Sequence, residues 1–338
     1  MIHLLGEPLT SVDFKEGTFH FPIGQIRAYE RTLKESTSQA LVENELRLEY
    51  RAIIAALNEM GIDFRIPLLD PGPPDRSFLI ECQREFGCRT TPFGSFPPGI
   101  MAYPRNFCTV VERAKLILLN NRVVERVNPK MNGWNFAVSP YGDSGYVYVK
   151  GSTMIIGDIS FNVSNKEVAL IERTGMNVGI FPPAVTAIYS RFQNDTADRI
   201  MVNGHIDRVS CLLADSNGKL HLIVDPKIET ADLDAHNQWF VRDNVESLSL
   251  IKNKFQTMDI NVCCPSEITV PCALNMHQFG DGRVLMTAGD EEVRSLVESI
   301  VGVSNVVETA RPIEFLPLWK RAGIGCMLNK IPASFING

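Results

Sequence analysis

Three short stretches of this 338-residue chain carry side chains whose types and spacing suit chemistry. The first is Asn203-Gly204-His205-Ile206-Asp207-Arg208-Val209, which sets a histidine two residues from a carboxylate. If residues 206–213 form a strand, His205 and Asp207 project from the same face. An imidazole beside a carboxylate suits general acid–base work. The carboxylate could equally grip a cationic group, and a solvated turn before a strand has the same composition.

The second stretch lies near the C-terminus, Lys320-Arg321-Ala322-Gly323-Ile324-Gly325-Cys326-Met327-Leu328-Asn329. Two glycines ahead of a cysteine permit close backbone approach. Lys320 and Arg321 would favour the thiolate if they fold toward it. A lone cysteine in an apolar run is also an ordinary small core residue. The third stretch, Pro104-Arg105-Asn106 ahead of Phe107-Cys108-Thr109-Val110, puts a cation and an amide at the mouth of an apolar strand. Ligand groups gather at such mouths, and ordinary turns do too.

These residues need a scaffold, and the pattern around them is a recurring helix–turn–strand unit. Residues 39–60 space Leu41, Leu46, Tyr50, Ile53, Ile54 and Leu57 three and four apart, with Gly61 as a C-cap and an apolar strand at 62–66. The unit recurs at 165–175, 243–255 and 290–302, each followed by a short apolar run. Further apolar strands are read at 107–111, 116–119, 146–149, 154–156, 209–213, 220–224 and 284–287. Such recurrence predicts radial or stacked modules. The chain reads as a single domain over 1–338, with 1–37 an N-terminal extension and the Pro/Gly-rich 69–104 a loop-rich lid candidate.

Composition narrows the function classes. Hydrophobic residues make up 45% and charged residues 21%, which predicts a sizeable core. A net charge of −6 without a basic tract argues against nucleic acid and against an anionic membrane surface. No window offers the roughly 18 apolar residues of a spanning helix, and Met1-Ile2-His3-Leu4-Leu5 does not read as a signal peptide. Eight cysteines without paired C-x-x-C spacing predict reduced thiols in a cytoplasmic setting, with no metal site and no cofactor.

Pro-Arg-Asn, Gly-His-x-Asp and Gly-x-Gly-Cys, in that order, resemble the amidinotransferase and arginine deiminase superfamily, the penteins. Residues 274–289 also look like the family's segment before the last helix. The resemblance spans roughly residues 39–332. It implies an α/β propeller of five pseudo-symmetric ββαβ-like modules around a central active site. It implies Cys326 as nucleophile, His205 as acid–base and Asp207 as guanidinium clamp. It further places Arg105, Asn106, Lys150, Thr153 and Asp158 around the substrate. Lys150 and Thr153 stand where the family carries acids, and Asp143 and Asp158 are the nearby carboxylates that could substitute. The implied reaction moves an amidino group from arginine or a related guanidine to an amine through a covalent intermediate on Cys326. Hydrolysis of a guanidine and a non-catalytic binding role are the alternatives. The implied partner is a small guanidine or amino acid; homodimer formation is left open.

Overall fold

A computed structural model describes residues 1–6, 8, 39–68, 76–92, 104–106, 108–120, 133–157, 171–188, 199–203, 205–233, 239–317 and 323–333. One pairing pattern recurs in five of its sheets. An inner strand runs antiparallel to a second, which runs parallel to a third. Strands β4 (Cys108–Val111), β5 (Leu116–Leu119) and β6 (Asn135–Val138) do so, as do β7 (Val147–Lys150), β8 (Thr153–Gly157) and β9 (Asn177–Phe181). A sixth sheet, β10 (Ala184–Ile188), β11 (Arg199–Asn203), β14 (Thr230–Leu233) and β15 (Trp239–Arg242), is antiparallel throughout and departs from the pattern.

The pattern returns in β12 (Ser210–Ala214), β13 (Leu220–Val224) and β16 (Asn261–Cys263). It returns again in β17 (His277–Gln278), β18 (Val284–Met286) and β19 (Val306–Glu308). The last set joins the two ends of the described chain. Strand β20 (Leu328–Ile331) pairs antiparallel with β1 (Ile2–Leu5), which runs parallel to β2 (Phe64–Leu68); β3 (Arg89–Pro92) extends that sheet.

A parallel pair needs a crossover, and helices supply it. Helix α1 (Gln39–Glu59) links β1 to β2, and α2 (Arg76–Phe86) links β2 to β3. Helix α3 (Asn244–Gln256) precedes β16, and α4 (Glu291–Val301) links β18 to β19. Asp243 caps α3 by accepting from Glu246 N at 2.9 Å, and Asp290 caps α4 by accepting from Val293 N at 3.1 Å. The apolar stripe of α1 buries Leu46, Tyr50, Ile53, Ile54 and Leu57 against the β1–β2 sheet.

The sequence expectation of helices near 39–60, 243–255 and 290–302 matches α1, α3 and α4. Only the end of the 165–175 segment lies within the described residues. Two readings differ. Residues 2–5 fall in the stretch read as an N-terminal extension, yet β1 sits between β2 and β20 because its apolar side chains fill the core there. Within the stretch read as a loop-rich lid, 76–86 is helical and 89–92 is a strand; 69–75 and 93–103 lie outside the described residues.

Candidate active site

Each of the five inner strands is preceded by a short turn or loop. Pro104–Asn106 precedes β4, Ser144–Tyr146 precedes β7, Ile206–Arg208 precedes β12, Asn275 stands just before β17, and Ile324–Met327 precedes β20. Hydrogen bonds join these turns in a closed circuit. Asn329 Nδ2 donates to Pro104 O at 2.8 Å, and Ser144 Oγ to Cys108 O at 2.8 Å. Tyr148 Oη donates to Ser210 O at 2.5 Å, Asn275 Nδ2 to Asp207 O at 3.0 Å, and Gly325 N to Asn275 O at 2.9 Å.

Cys326, His205 and Asp207 meet inside this circuit. The Cys326 thiol points at Asp207 Oδ2 across 3.5 Å. His205 Nδ1 is 3.8 Å from Asp207 Oδ1, and His205 Nε2 is 3.6 Å from Asp143 Oδ2. The Tyr146 ring packs edge-on against the imidazole, with centroids 4.1 Å apart. A Cβ on Gly145 would lie 2.4 Å from His205 Nδ1, so only glycine leaves room for the imidazole. Residues 206–208 form a 3-10 turn and not the strand expected from the sequence, so His205 and Asp207 approach each other around a turn.

Arg105 enters from the neighbouring turn. Its Nε donates to Ser144 O at 3.0 Å, and Nη1 stands 3.8 Å from Asp207 Oδ2. Its guanidinium lies 5.5 Å from the centre of the Tyr148 ring. Asp143, named from the sequence as a nearby carboxylate, faces His205 and accepts from Gly145 N at 3.0 Å.

Asn275 is the residue that motif reading missed. Its Oδ1 accepts from Cys326 N at 2.9 Å, while its Nδ2 lies 3.2 Å from Cys326 Sγ. Gly323 and Gly325 both pack on it: an added Cβ would fall 2.6 Å from Asn275 Cβ or 2.8 Å from its Oδ1. The available signal was position, because Asn275 stands before an inner strand as His205 and Cys326 do.

Burial dominates the electrostatics. It pushes the Cys326 thiol well above an ordinary thiol, and the charge of Asp207 adds to the effect. This reverses the sequence expectation of a ready thiolate; Lys320 and Arg321, invoked for it, lie outside the described residues. Burial raises Asp143 as well, against the opposing pull of His205. Burial also works against charge on Asp207, but His205 and Arg105 outweigh it and hold that carboxyl below its usual value. Asp207 Oδ1 is buried and has no hydrogen-bond partner among the described residues. The site therefore holds charged Asp207 beside a neutral thiol, with an acceptor atom open.

Lys150 and Thr153 do not join this cluster. They face each other across the turn between β7 and β8, at the far end of β7 from Ser144–Tyr146. Strands rise about 3.3 Å per residue, so that end is well removed from the thiol. The carboxylate that faces His205 is Asp143, which precedes the strand. The side chain of Asn106 and all of Asp158 lie outside the described part of the structure. Among the described residues no group of three or more His, Cys, Asp or Glu is disposed to hold a metal ion, and no helix is long and apolar enough to cross a membrane.

No protein-family model matches the sequence, and no curated protein does. Solved structures do match. A cysteine-to-serine variant of DDAH from Pseudomonas aeruginosa, complexed with citrulline, is similar at 13% identity and a TM-score of 0.51, over 97% of this chain and 98% of that one. A putative agmatine deiminase is similar at 11% identity and a TM-score of 0.52, over 98% and 92%. An amidinotransferase from Microseira wollei, of saxitoxin biosynthesis, gives 12% identity and a TM-score of 0.45, over 98% and 93%. The chain thus has, over nearly its whole length, the α/β fold shared by the DDAH and agmatine deiminase structures.

Proposed function

We propose that this chain is a cysteine-dependent enzyme that modifies guanidino groups, built as five modules around a central site. The observation that carries the reading is the convergence of Cys326 Sγ, Asp207 and His205, with Sγ 3.5 Å from Oδ2 and Nδ1 3.8 Å from Oδ1. A planar guanidinium seated between Asp143 and Asp207 finds two carboxylates, one with an open acceptor. Its positive charge also opposes the effect of Asp207 on the thiol, so substrate binding itself promotes the nucleophile.

The thiol proton passes to His205, and the thiolate then attacks the guanidine carbon. A C–S bond forms, a C–N bond breaks, and the leaving amine takes a proton from His205. In the second half His205 removes a proton from the acceptor, whose attack breaks the C–S bond and returns the thiol. The Pro-Arg-Asn form of residues 104–106 favours an amine acceptor, as in amidino transfer; water is the alternative, and the agmatine deiminase relative supplies its precedent.

The test is a mass-spectrometric product screen. The purified chain is incubated with arginine, agmatine and related guanidines, with and without glycine, lysine or ornithine, beside a Cys326→Ala variant. From arginine the expected products are ornithine and a new guanidino compound, both lost in the variant. Citrulline or ammonia selects water as acceptor. Absence of both turnover and a covalent mass increment on Cys326 across the panel refutes the reading.

A further inference from the structure

A cavity of about 900 Å3 lies among the described residues, lined by Arg105 but not by Cys326, His205 or Asp207. One strand from each of five sheets lines it: Thr109 on β4, Lys150 on β7, Cys211 on β12, Gln278 on β17 and Lys330 on β20. Arg105 and Ser144 belong to its wall as well as to the thiol site.

Its charge is lopsided. Arg105, Arg113, Lys115, Lys150 and Lys330 line it against a single carboxylate, Glu112. This is unexpected in a chain of net charge −6. Glu112 is spoken for, accepting from Lys330 Nζ at 2.8 Å near the exposed rim. Lys115 Nζ sits 5.0 Å from the centre of the Trp134 ring. Deeper in, Lys150 Nζ donates to the neutral amide of Gln278 at 3.0 Å, and that amide is already fixed by Ala214 N at 2.9 Å. Burial lowers Lys150 to about 8; Cys211 acts against the shift, and the cations Arg105 and Lys330 add to it. His3, also in the wall, has a buried Nδ1 without a hydrogen-bond partner among the described residues.

A half-buried ammonium that shares one cavity with four further cations is a costly arrangement that an anion would relieve. We propose that this cavity binds a small oxyanion, a phosphate or carboxylate group, held by Lys150 and Lys330. Both lysines keep further N–H donors for it. The inference goes beyond the guanidine reading and does not depend on it.

The test is isothermal titration calorimetry on the full chain with inorganic phosphate and with succinate, each against sodium chloride at matched ionic strength. Saturable binding is expected in the unaltered chain and in Cys326→Ala. It should weaken at least tenfold in both Lys150→Gln and Lys330→Gln. Phosphate binding tighter than succinate assigns a phosphate group, and the reverse order a carboxylate. If Lys150→Gln does not fold, the rim variant Lys330→Gln carries the test. Heats no larger than those of chloride, or binding undiminished in the folded lysine variants, overturn the inference. Binding that persists in a chain without guanidine turnover refutes only the functional reading; turnover without anion binding refutes only this one.

Discussion

The guanidinium of Arg105 stands 3.8 Å from Asp207, the carboxylate proposed to grip a substrate guanidinium. Asp207 therefore already has a guanidinium of the protein's own near one oxygen, Oδ2, while its other oxygen, Oδ1, faces His205 and accepts no hydrogen bond among the described residues. Truncating one partner of a buried pair leaves an uncompensated charge. Arg105→Met should cost about 3–5 kcal/mol of folding stability. In the double variant with Asp207→Asn much of that loss should be recovered. Denaturant midpoints for the four proteins of the cycle check this; additive losses would show that the two groups do not interact.

The acid limb of stability should report the same carboxylate. Asp207 is held below its usual value in the folded chain, so its contribution is present above the unfolded value near 3.9 and is lost as pH falls through the folded value. Asp143, raised by burial, works the other way: its charge opposes folding at neutral pH, and protonation relieves this as pH falls. Asp143→Asn should therefore stabilise the chain at pH 7 while cutting turnover by roughly 100-fold or more through loss of the partner of His205. Thermal melts at pH 7 and kinetics on the same preparation decide it.

Cys326 should be a sluggish thiol at rest. Burial and Asp207 both hold it protonated, so its alkylation by iodoacetamide at pH 7 should be slower than that of an ordinary thiol and should still be rising above pH 9. A saturating guanidine small enough to leave the reagent access should speed it. Peptide mapping separates Cys326 from Cys263, Cys264 and Cys272, which, like it, are partly exposed. Fast labelling at pH 6 would contradict the burial.

Asn275 should matter to activity more than its absence from the motifs suggests. Asn275→Ala removes the bonds to Cys326 N, Cys326 Sγ and Asp207 O. The buried groups left unpaired should cost about 1–3 kcal/mol. Turnover should fall about 100-fold or more as the thiol loses its orientation. Gly145→Ala tests the opposite wall. Its Cβ would collide with His205, so kcat should drop while overpacking costs about 1–3 kcal/mol.

The contrast between Lys150 and Asn275 explains what the sequence could reveal. Strands such as 116–119 and 220–224 were legible to the residue because short apolar runs bounded by polar and turn residues mark them. His205, Asp207 and Cys326 were legible because their types are chemically rare in such settings. Lys150 was set beside them by counting along the chain, and counting cannot tell the start of β7 from its end. Asp143, seven residues earlier, lies at the start. Asn275 escaped because an amide in an apolar segment has no reactive signature; its role comes from three bonds to residues 51 and 68 positions away. The sheet of β10, β11, β14 and β15 escaped because no repeat announces it.

The pairing of β1 with β20 has a consequence for the order of assembly. The segment bearing Cys326 is fastened by contacts with the opposite end of the chain: Leu5 pairs with Leu328, and Gly6 N donates to Met327 O at 2.8 Å. Loop closure over more than three hundred residues is the slowest kind of contact to form. During synthesis the carboxylates and the imidazole can be in place while β1 still waits for its partner. The proposed nucleophile arrives with the last described strand, so a growing or truncated chain holds the proposed guanidinium seat and no means to act on what sits in it.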